Sequence, residues 1–366
     1  MKVLHLIPSF GSGGAERQLS IIAPCHAASG LETHIGYCQG GPNLSPLTTS
    51  NAHLHILPKR GNYDPALLYR IVTLTRKIRP DIVHTWLLQM DILGAMAGLL
   101  IGLPLILSER SSGPAYSSDW KTRLRLLLGQ HATYVVANSQ GGMDYWRPHI
   151  GSNRLRLVRN CVSPVEPTSA VPLPVPPGVQ VVLFAGRFSY EKNIPALVQA
   201  LILVARQHSK AAIIMFGEGP ERESAAKQIA AAGLDRRILV AGYTPQLAAW
   251  MVRAAVCVSV SHFEGHPNVV IEAAAAGCPL VVSDIPAHRE LFDERSAALV
   301  PPDSPAHIAE AVLGALYNPS IARERAAHAR AIAMQYNLPA MAAAYRSIYE
   351  DAVATARSSQ SPSSLL

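Results

Sequence analysis

Six prolines (Pro164, Pro167, Pro172, Pro174, Pro176 and Pro177) fall between Ser163 and Gly178. Each fixes its own φ and removes an amide donor, so neither a helix interior nor a sheet ladder can run through the segment. It reads as a semi-rigid linker over 166–178, and it divides two stretches of the same character. On both sides, short β-branched runs alternate with longer amphipathic ones, the pattern of parallel α/β units. Before the linker the strand candidates are Lys2–Ile7, Thr33–Cys38, His53–Leu57, Asp81–Trp86, Pro104–Ser108, Tyr134–Asn138 and Arg154–Val158. After it they are Val179–Ala185, Ala211–Phe216, Ile238–Ala241, Val256–Ser261, Pro279–Ser283 and Ala297–Val300. The expected fold is α/β, with two Rossmann-like domains facing each other across a cleft: 1–165 and 179–338. Helices close the chain (Pro305–Tyr317, Ile321–Gln335, Leu338–Ala356), the last expected over 339–357 to pack back on the first domain. A Ser-rich tail, 358–366, is expected to be disordered.

Composition narrows the class. With 366 residues, 49% hydrophobic and 16% charged, the chain can bury two good cores. Met1–Ile7 reads as a strand rather than a secretory leader. The longest apolar run, Ile92 to Leu107, is broken by Gly94, Gly98, Gly102 and Pro104, and reads as a buried helix plus a strand. Five cysteines lie scattered without metal-ligand spacing, as expected of reduced thiols in a cytoplasmic protein. Charge is lopsided: residues 1–165 carry 4 Lys and 12 Arg against 8 acidic residues, a net +8, whereas 166–366 carry a net −1. A basic half points to an anionic partner: nucleic acid, a phosphorylated acceptor or an anionic membrane face. Few aromatics, no zinc ligands and no recognition-helix motif disfavour nucleic acid.

The chemistry is expected in loops beyond the carboxyl ends of the strands. Phe263 to Ala273 places Glu264 and Glu272 eight positions apart. On one continuous helix they would diverge by roughly 80°. Gly265 and Pro267 argue instead for Glu264 in a loop and Glu272 on the helix that follows, at whose N-terminus an anionic or hydroxyl-rich ligand is favoured. Gly11-Ser12-Gly13-Gly14 follows the first strand, a weak phosphate- or sugar-approach signal without the dinucleotide spacing. Gly186-Arg187 and Glu191-Lys192-Asn193 follow the first strand of the second half, with Asn193 as expected cap. Arg187 and Lys192 then form a planar fork and a point charge suited to a diphosphate; the alternative is a surface pair with Lys192 bridging Glu191. Loops with Gly217 and Gly242 end the next two strands, as nucleotide-base holders or plain turns. His84, Glu109 and Arg110 end first-half strands and are expected to look into the cleft, unless His84 is a core residue and Glu109 pairs with Arg110. Ser118–Leu128 reads either as a membrane-surface helix, with Trp120, Leu124, Leu127 and Leu128 on one face and Lys121 and Arg125 off it, or as an ordinary packing helix.

Together these motifs resemble the GT-B retaining glycosyltransferases, specifically glycosyltransferase family 4. The carriers are Gly13-Gly14-Ala15-Glu16-Arg17, Gly186-Arg187 with Glu191-Lys192-Asn193, Gly217-Glu218-Gly219, and above all Glu264-x7-Glu272 in Glu-Gly-His-Pro-Asn-Val-Val-Ile-Glu-Ala. The resemblance implies that Arg187 and Lys192 hold the donor diphosphate and stabilise the leaving nucleotide, with no metal and no cofactor. It implies that Glu264 contacts the transferred sugar and Glu272 the ribose. Amides around His266, Pro267, Asn268 and Val269, with Gly13, Gly14, Gly186, Gly217 and Gly242, complete the donor site. Transfer would be front-face with retention, and electrostatic stabilisation of the leaving group the main catalytic task. Many members carry a His after the fifth strand, where this chain has Leu107-Ser108-Glu109-Arg110-Ser111; Glu16, His84, Glu109 and Arg110 are the acceptor or sugar-side candidates in its place.

The expected function is therefore transfer of a hexose or N-acetylhexosamine, from a UDP-sugar rather than a GDP-sugar, to a lipid-linked glycan. The protein would sit in the cytoplasm, peripheral on the inner face of an anionic membrane. The alternatives are a hydrolysing epimerase acting on the sugar nucleotide, which would turn over without acceptor, and a non-catalytic sugar-nucleotide-binding protein.

Overall fold

The computed structural model describes residues 1–11, 13–61, 64–162, 176 and 178–360, of which 359 and 360 are described by backbone alone. Its strands stand where the β-branched runs put them, within two residues at every end. They are β1 (Lys2–Ser9), β2 (Glu32–Gln39), β3 (His53–Ile56), β4 (Ile82–Trp86), β5 (Leu105–Glu109), β6 (Tyr134–Ala137) and β7 (Leu155–Leu157), then β8 (Gln180–Ala185), β9 (Ala211–Phe216), β10 (Ile238–Ala241), β11 (Val256–Ser259), β12 (Leu280–Ser283) and β13 (Ala298–Val300). The chain divides into two compact units, Met1–Cys161 with Leu338–Leu366, and Val162–Asn337. The second unit thus begins ahead of the proline segment. Val162 is buried, its amide donating to the Tyr336 carbonyl at 2.8 Å. The expected linker, 166–178, lies outside the described residues except for Pro176 and Gly178.

The first unit holds a seven-stranded sheet in the order β3-β2-β1-β4-β5-β6-β7, and the second a six-stranded sheet, β10-β9-β8-β11-β12-β13. All pairings are parallel. Parallel sheets need both faces covered, and the strands obey: every residue of β4 and β5 is buried. Alternation assigns the faces. Val3 and Ile7 of β1 pack with Met341, Tyr345 and Tyr349 of the C-terminal helix; Leu4 and Leu6 pack on the other side with Ile71, Ile78 and Trp146. In the second unit Val182 and Phe184 meet Leu197 and Val312, while Val181 and Leu183 meet Trp250 and Ile271. Met341 and Ile348 each contribute roughly 1.5–3 kcal/mol by burial, enough to hold the last helix to the first unit.

Strand order reverses between β1 and β4 in one unit, and between β8 and β11 in the other. In open parallel sheets the loops leaving such a point diverge and make room for a ligand.

Two expectations change, the end of the last helix and the place of Arg125, while the capping Ser or Asp expected at the start of the Ser118–Leu128 helix is Asp119. The last helix runs Leu338–Gln360, so 358–360 are helical rather than part of the tail; 361–366 lie outside the described residues. The Ser118–Leu128 stretch begins its helix at Trp120, capped by the Asp119 carboxylate, which accepts from the Thr122 amide at 2.9 Å. Its Arg125, read as lying on the polar side, is 1% exposed, because two carboxylates await it in the core. The apolar run Ile92 to Leu107 does resolve into a helix (Leu87–Ile101) and β5, turned by Gly102 in the left-handed region. No helix among the described residues is long and apolar enough to cross a membrane.

Candidate functional site

The switch point of the second unit is where the predicted residues converge. β8 ends at Ala185 and gives way to Gly186-Arg187-Phe188, a short 3-10 turn (Tyr190–Lys192) and the helix Ile194–Gln207. Phe188 is fully buried, edge-on to Phe184 at 5.6 Å, which anchors the loop. Asn193 stands at the N-cap position but not as the expected side-chain cap. Its backbone is left-handed (φ 52°), and its side-chain Nδ2 donates to the Pro302 carbonyl at 2.7 Å, tying the turn to a neighbouring loop.

The loop after β9 is laced to this one through main chain. The Phe188 amide donates to the Glu218 carbonyl at 2.9 Å, and the Gly217 amide to the Gly242 carbonyl at 3.3 Å. At Gly217 (φ 139°) a Cβ would lie 1.9 Å from the Gly186 carbonyl oxygen, and at Gly219 (φ 151°) 2.3 Å from that of Phe188. These glycines are required by the approach of one strand-end loop to the next. Gly217→Ala is expected to destabilise the second unit by at least about 1–3 kcal/mol through backbone strain alone. Urea denaturation followed at Trp250 tests this, and a wild-type midpoint would refute the lacing.

The loop after β11 completes the arrangement. Lys192 and Glu264 form an ion pair, with side chains 19% and 13% exposed. The Ser261 hydroxyl donates to the same Glu264 oxygen at 2.7 Å, and the His262 amide to the Glu191 carbonyl at 2.9 Å. Burial alone would raise the Glu264 carboxyl; the Lys192 charge and hydrogen bond, with the Ser261 hydroxyl, outweigh it and hold Glu264 ionised, below the usual carboxylate range. Arg187 is different. Its side chain is 64% exposed and stands 3.7 Å from Glu191, whose carboxylate also accepts from Ser189 at 2.6 Å. The cation on Glu191 is thus Arg187, at an exposed separation worth little, while Lys192 is committed to Glu264.

Gly265, His266 and Pro267 are buried and lead into the helix Asn268–Ala275, whose N-cap position is taken by Pro267, without a side-chain cap of its own. The amides of a helix's first turn have no acceptor within the helix itself. His266 lies edge-on to Tyr336 at 5.5 Å. Glu272 is 8% exposed on this helix, with its charge near Cys257, whose thiol is pushed up to about 12 by burial first and that charge second. Glu264 in a loop and Glu272 on the following helix match the reading of the spacing.

In the first unit, Gly13 precedes the helix Gly14–Ala28, and the Glu16 carboxylate folds back so closely that a Cβ on Gly13 would lie 2.3 Å from it. Leu87, directly after β4 at this unit's switch point, has φ 69°, a conformation L side chains adopt only under constraint. Beside it the Arg110 guanidinium sits 4.2 Å above the Trp86 ring. Arg110 also donates to Asn160 (3.0 Å), to Ser108 (3.3 Å) and to the Tyr345 hydroxyl.

Two first-unit candidates are not at a ligand-facing surface. His84 is fully buried, its ring nitrogens bonded to the hydroxyls of Tyr349 (2.9 Å) and Ser108 (2.7 Å). Burial, then the charges of His5, Arg110 and His26, hold it well below the usual histidine range and neutral. Glu109 does not pair with Arg110. It is fully buried, accepting from Arg125 (2.8 Å), Trp146 Nε1 (2.9 Å), the Tyr116 hydroxyl (2.6 Å) and the Ser111 amide (2.8 Å). Arg125 bonds Asp91 as well, at 2.7 Å. Sequence reasoning passed over Asp91, Ser261, Ser283 and His288, and read Arg125 as a cation on the polar side of its helix.

Comparison with known proteins fits this geometry. Residues 12–166 match the family described as Glycosyltransferase Family 4, and residues 179–318 the one described as Glycosyl transferases group 1. The chain belongs to the family 4, group 1 glycosyltransferases. It is 27% identical to the D-inositol 3-phosphate glycosyltransferase of Arthrobacter sp. (strain FB24), over 91% of this chain and 89% of that one. It is 28% identical to the 2-deoxystreptamine N-acetyl-D-glucosaminyltransferase of Niallia circulans, over 44% of this chain and 42% of the relative. The match with the glycogen synthase of Mycobacterium tuberculosis (strain H37Rv), at 32% identity, spans 42% of this chain and 38% of that relative. With the first relatives it matches, the chain thus aligns over about two fifths of their length. Among solved structures, Anabaena Alr3699/HepE in complex with UDP-glucose superposes with a TM-score of 0.85 at 20% identity, covering 96% of this chain and all of that one. Sucrose-phosphate synthase of Thermosynechococcus elongatus superposes at 0.82, with 20% identity, over 97% of this chain and 100% of its own. These likenesses give the GT-B fold.

Proposed function

We propose that this glycosyltransferase moves a hexose or N-acetylhexosamine from a UDP-sugar, with retention and without a metal, to a lipid-linked glycan acceptor. The observation that carries the reading is the Lys192–Glu264 pair at the switch point of the second unit, beside the start of the helix Asn268–Ala275. Lys192, Arg187 and the helix-end amides suit a leaving diphosphate, whose developing charge the protein must stabilise. Glu264, ionised in a half-dry loop, suits hydroxyls of the transferred sugar, and Glu272 those of the ribose. A UDP donor is favoured because Alr3699/HepE, so similar in fold, binds UDP and UDP-glucose. A peripheral place on an anionic membrane is supported by the basic first half and by the Trp120–Gly129 helix, where Trp120 (63%) and Leu127 (55%) stand exposed with Arg123.

The test is nucleotide release from a panel of UDP- and GDP-sugars, with and without lipid-diphosphate acceptors. The expected result is acceptor-dependent release of UDP. Release without acceptor would mark a hydrolysing epimerase, and no release with any pair from folded protein would remove the reading.

A further inference from the structure

His288 lies in the short helix Pro286–Arg289 that follows β12 and is itself fully buried, although its neighbours Asp284 and Arg289 are exposed. Its Nδ1 stands 2.8 Å from the Ser283 carbonyl and 3.2 Å from the Ser283 hydroxyl. A carbonyl only accepts, so Nδ1 carries the hydrogen, and the lone pair of the neutral ring is on Nε2. That atom has no hydrogen-bond partner among the described residues. The Ser283 hydroxyl donates to the Ser261 carbonyl at 2.7 Å, and the Ser261 hydroxyl to Glu264 at 2.7 Å. A chain of short contacts therefore runs from the ring, across the ends of β12 and β11, to the carboxylate that holds Lys192.

The charges that act on His288 from neighbouring elements are those of Glu264 and Lys192. Asp284 and Arg289, on its own turn, are paired with each other at the surface. Burial first holds the ring below the usual histidine range, with Lys192 adding to the effect and Glu264 and the Ser283 carbonyl opposing it. With Lys192 on Glu264 the ring is neutral. The proposed function requires Lys192 to turn from Glu264 to the donor diphosphate, and a half-dry carboxylate without a counter-charge is costly.

We propose that His288 is a positioning residue that replaces Lys192 as the counter-charge of Glu264 when a nucleotide sugar binds, taking one proton from solvent onto Nε2. The only bond made is the N–H on Nε2, formed by the ring's lone pair with a solvent proton; it is broken and the proton returned to solvent when the nucleotide leaves and Lys192 closes again on Glu264. The imidazolium keeps Glu264 ionised and aimed at the sugar while Lys192 serves the phosphates. The inference rests on the donor-site reading above.

Titration calorimetry of the full chain with UDP-glucose, in buffers of unlike ionisation enthalpy, tests it. This probe is chosen because its diphosphate is a diester, without the terminal phosphate that titrates near pH 6 in UDP itself. Wild-type protein near neutrality should take up as much as about one proton per nucleotide sugar bound. The uptake should fade at lower pH, where the ring is already charged, and should be lost in His288→Gln while binding persists. Should that variant not fold, Lys192→Ala replaces it: with Lys192 gone the ring is charged beforehand, and the uptake should vanish there too. Binding by wild type without proton uptake, or uptake that survives in His288→Gln, overturns the role of His288 and leaves the donor site intact. Absence of binding by UDP-glucose, GDP-glucose and ADP-glucose overturns the donor site, and the inference with it.

Discussion

Lys192→Ala should lower turnover by about 10²–10³-fold, the loss seen when one preorganised donor to a developing negative charge is removed. The same change should destabilise the second unit, because Glu264 keeps only Ser261 as a donor and its counter-charge must be taken up by the His288 ring, which burial disfavours. Removal of one partner of a buried pair costs about 3–5 kcal/mol. With side chains still 13–19% exposed, the lower end of that range applies. The two effects separate in the double variant Lys192→Ala/Glu264→Gln. Neutralising the orphaned carboxylate should restore most of the denaturation midpoint and none of the turnover. Arg187→Ala provides the contrast: its side chain is 64% exposed and its 3.7 Å approach to Glu191 is a surface pair, so stability should stay within about 0.5 kcal/mol while turnover falls. Turnover in Lys192→Ala within a few-fold of wild type would end the case for Lys192 on the leaving group. Recovery of turnover by the double variant would mean that Lys192 serves only to hold Glu264.

Which parts of this were legible beforehand follows from how far each interaction reaches along the chain. Strands such as Ala211–Phe216 and Ile238–Ala241 announce themselves because a fully covered parallel strand is apolar throughout, and that signal is local. Glu264 and Glu272 were placed from Gly265 and Pro267, again local chemistry. Lys192 and Glu264 were each singled out, yet their pairing was not read, since 72 residues separate them and only the strand order of the sheet brings the loops together. Arg125 was misread for a related reason. In Leu124-Arg125-Leu126-Leu127-Leu128 a lone cation looks like the wet edge of an amphipathic helix, and nothing nearby shows that Asp91, 34 residues away, and Glu109, 16 away, wait in the core. His84 shows the converse: its strand-end position left a ligand-facing and a core reading open, and the core one holds because Tyr349, 265 residues on, closes over it.

The Asp91–Arg125–Glu109 triad carries the second large expectation, and it falls on stability in the first unit. Arg125→Met should cost about 3–5 kcal/mol, because two fully buried carboxylates would be left with no cation between them. It should also loosen the segment after β5, where Glu109 holds the Ser111 amide and the Tyr116 hydroxyl. One cation shared by two carboxylates makes the intact triad respond to pH in two windows. Burial, only partly offset by Arg125, pushes the Asp91 carboxyl up to about 6. Unfolded, an aspartate titrates near 3.9, so between about pH 4 and 6 the folded state keeps a proton that the unfolded state has lost. Stability therefore falls as pH rises through that window, by about 3 kcal/mol in all, and stays lower above it. Glu109 has the opposite sign. Burial raises it, but Arg125 and the hydrogen bonds outweigh this and hold it below its usual value, so its contribution is present above its unfolded pKa and is lost as pH falls beneath it. Asp91→Asn removes the upper window alone. The difference in unfolding free energy between pH 4.5 and pH 7 should shrink or change sign in that variant, with the acid-side loss from Glu109 retained. Urea titrations read by tryptophan fluorescence report on this unit directly, since Trp86, Trp120 and Trp146 all lie in it and Trp146 Nε1 donates to Glu109 at 2.9 Å. If Asp91→Asn kept the wild-type pH slope between 4 and 6, Asp91 would not be the group that carries it, and Arg125 would be shared unequally in favour of Glu109.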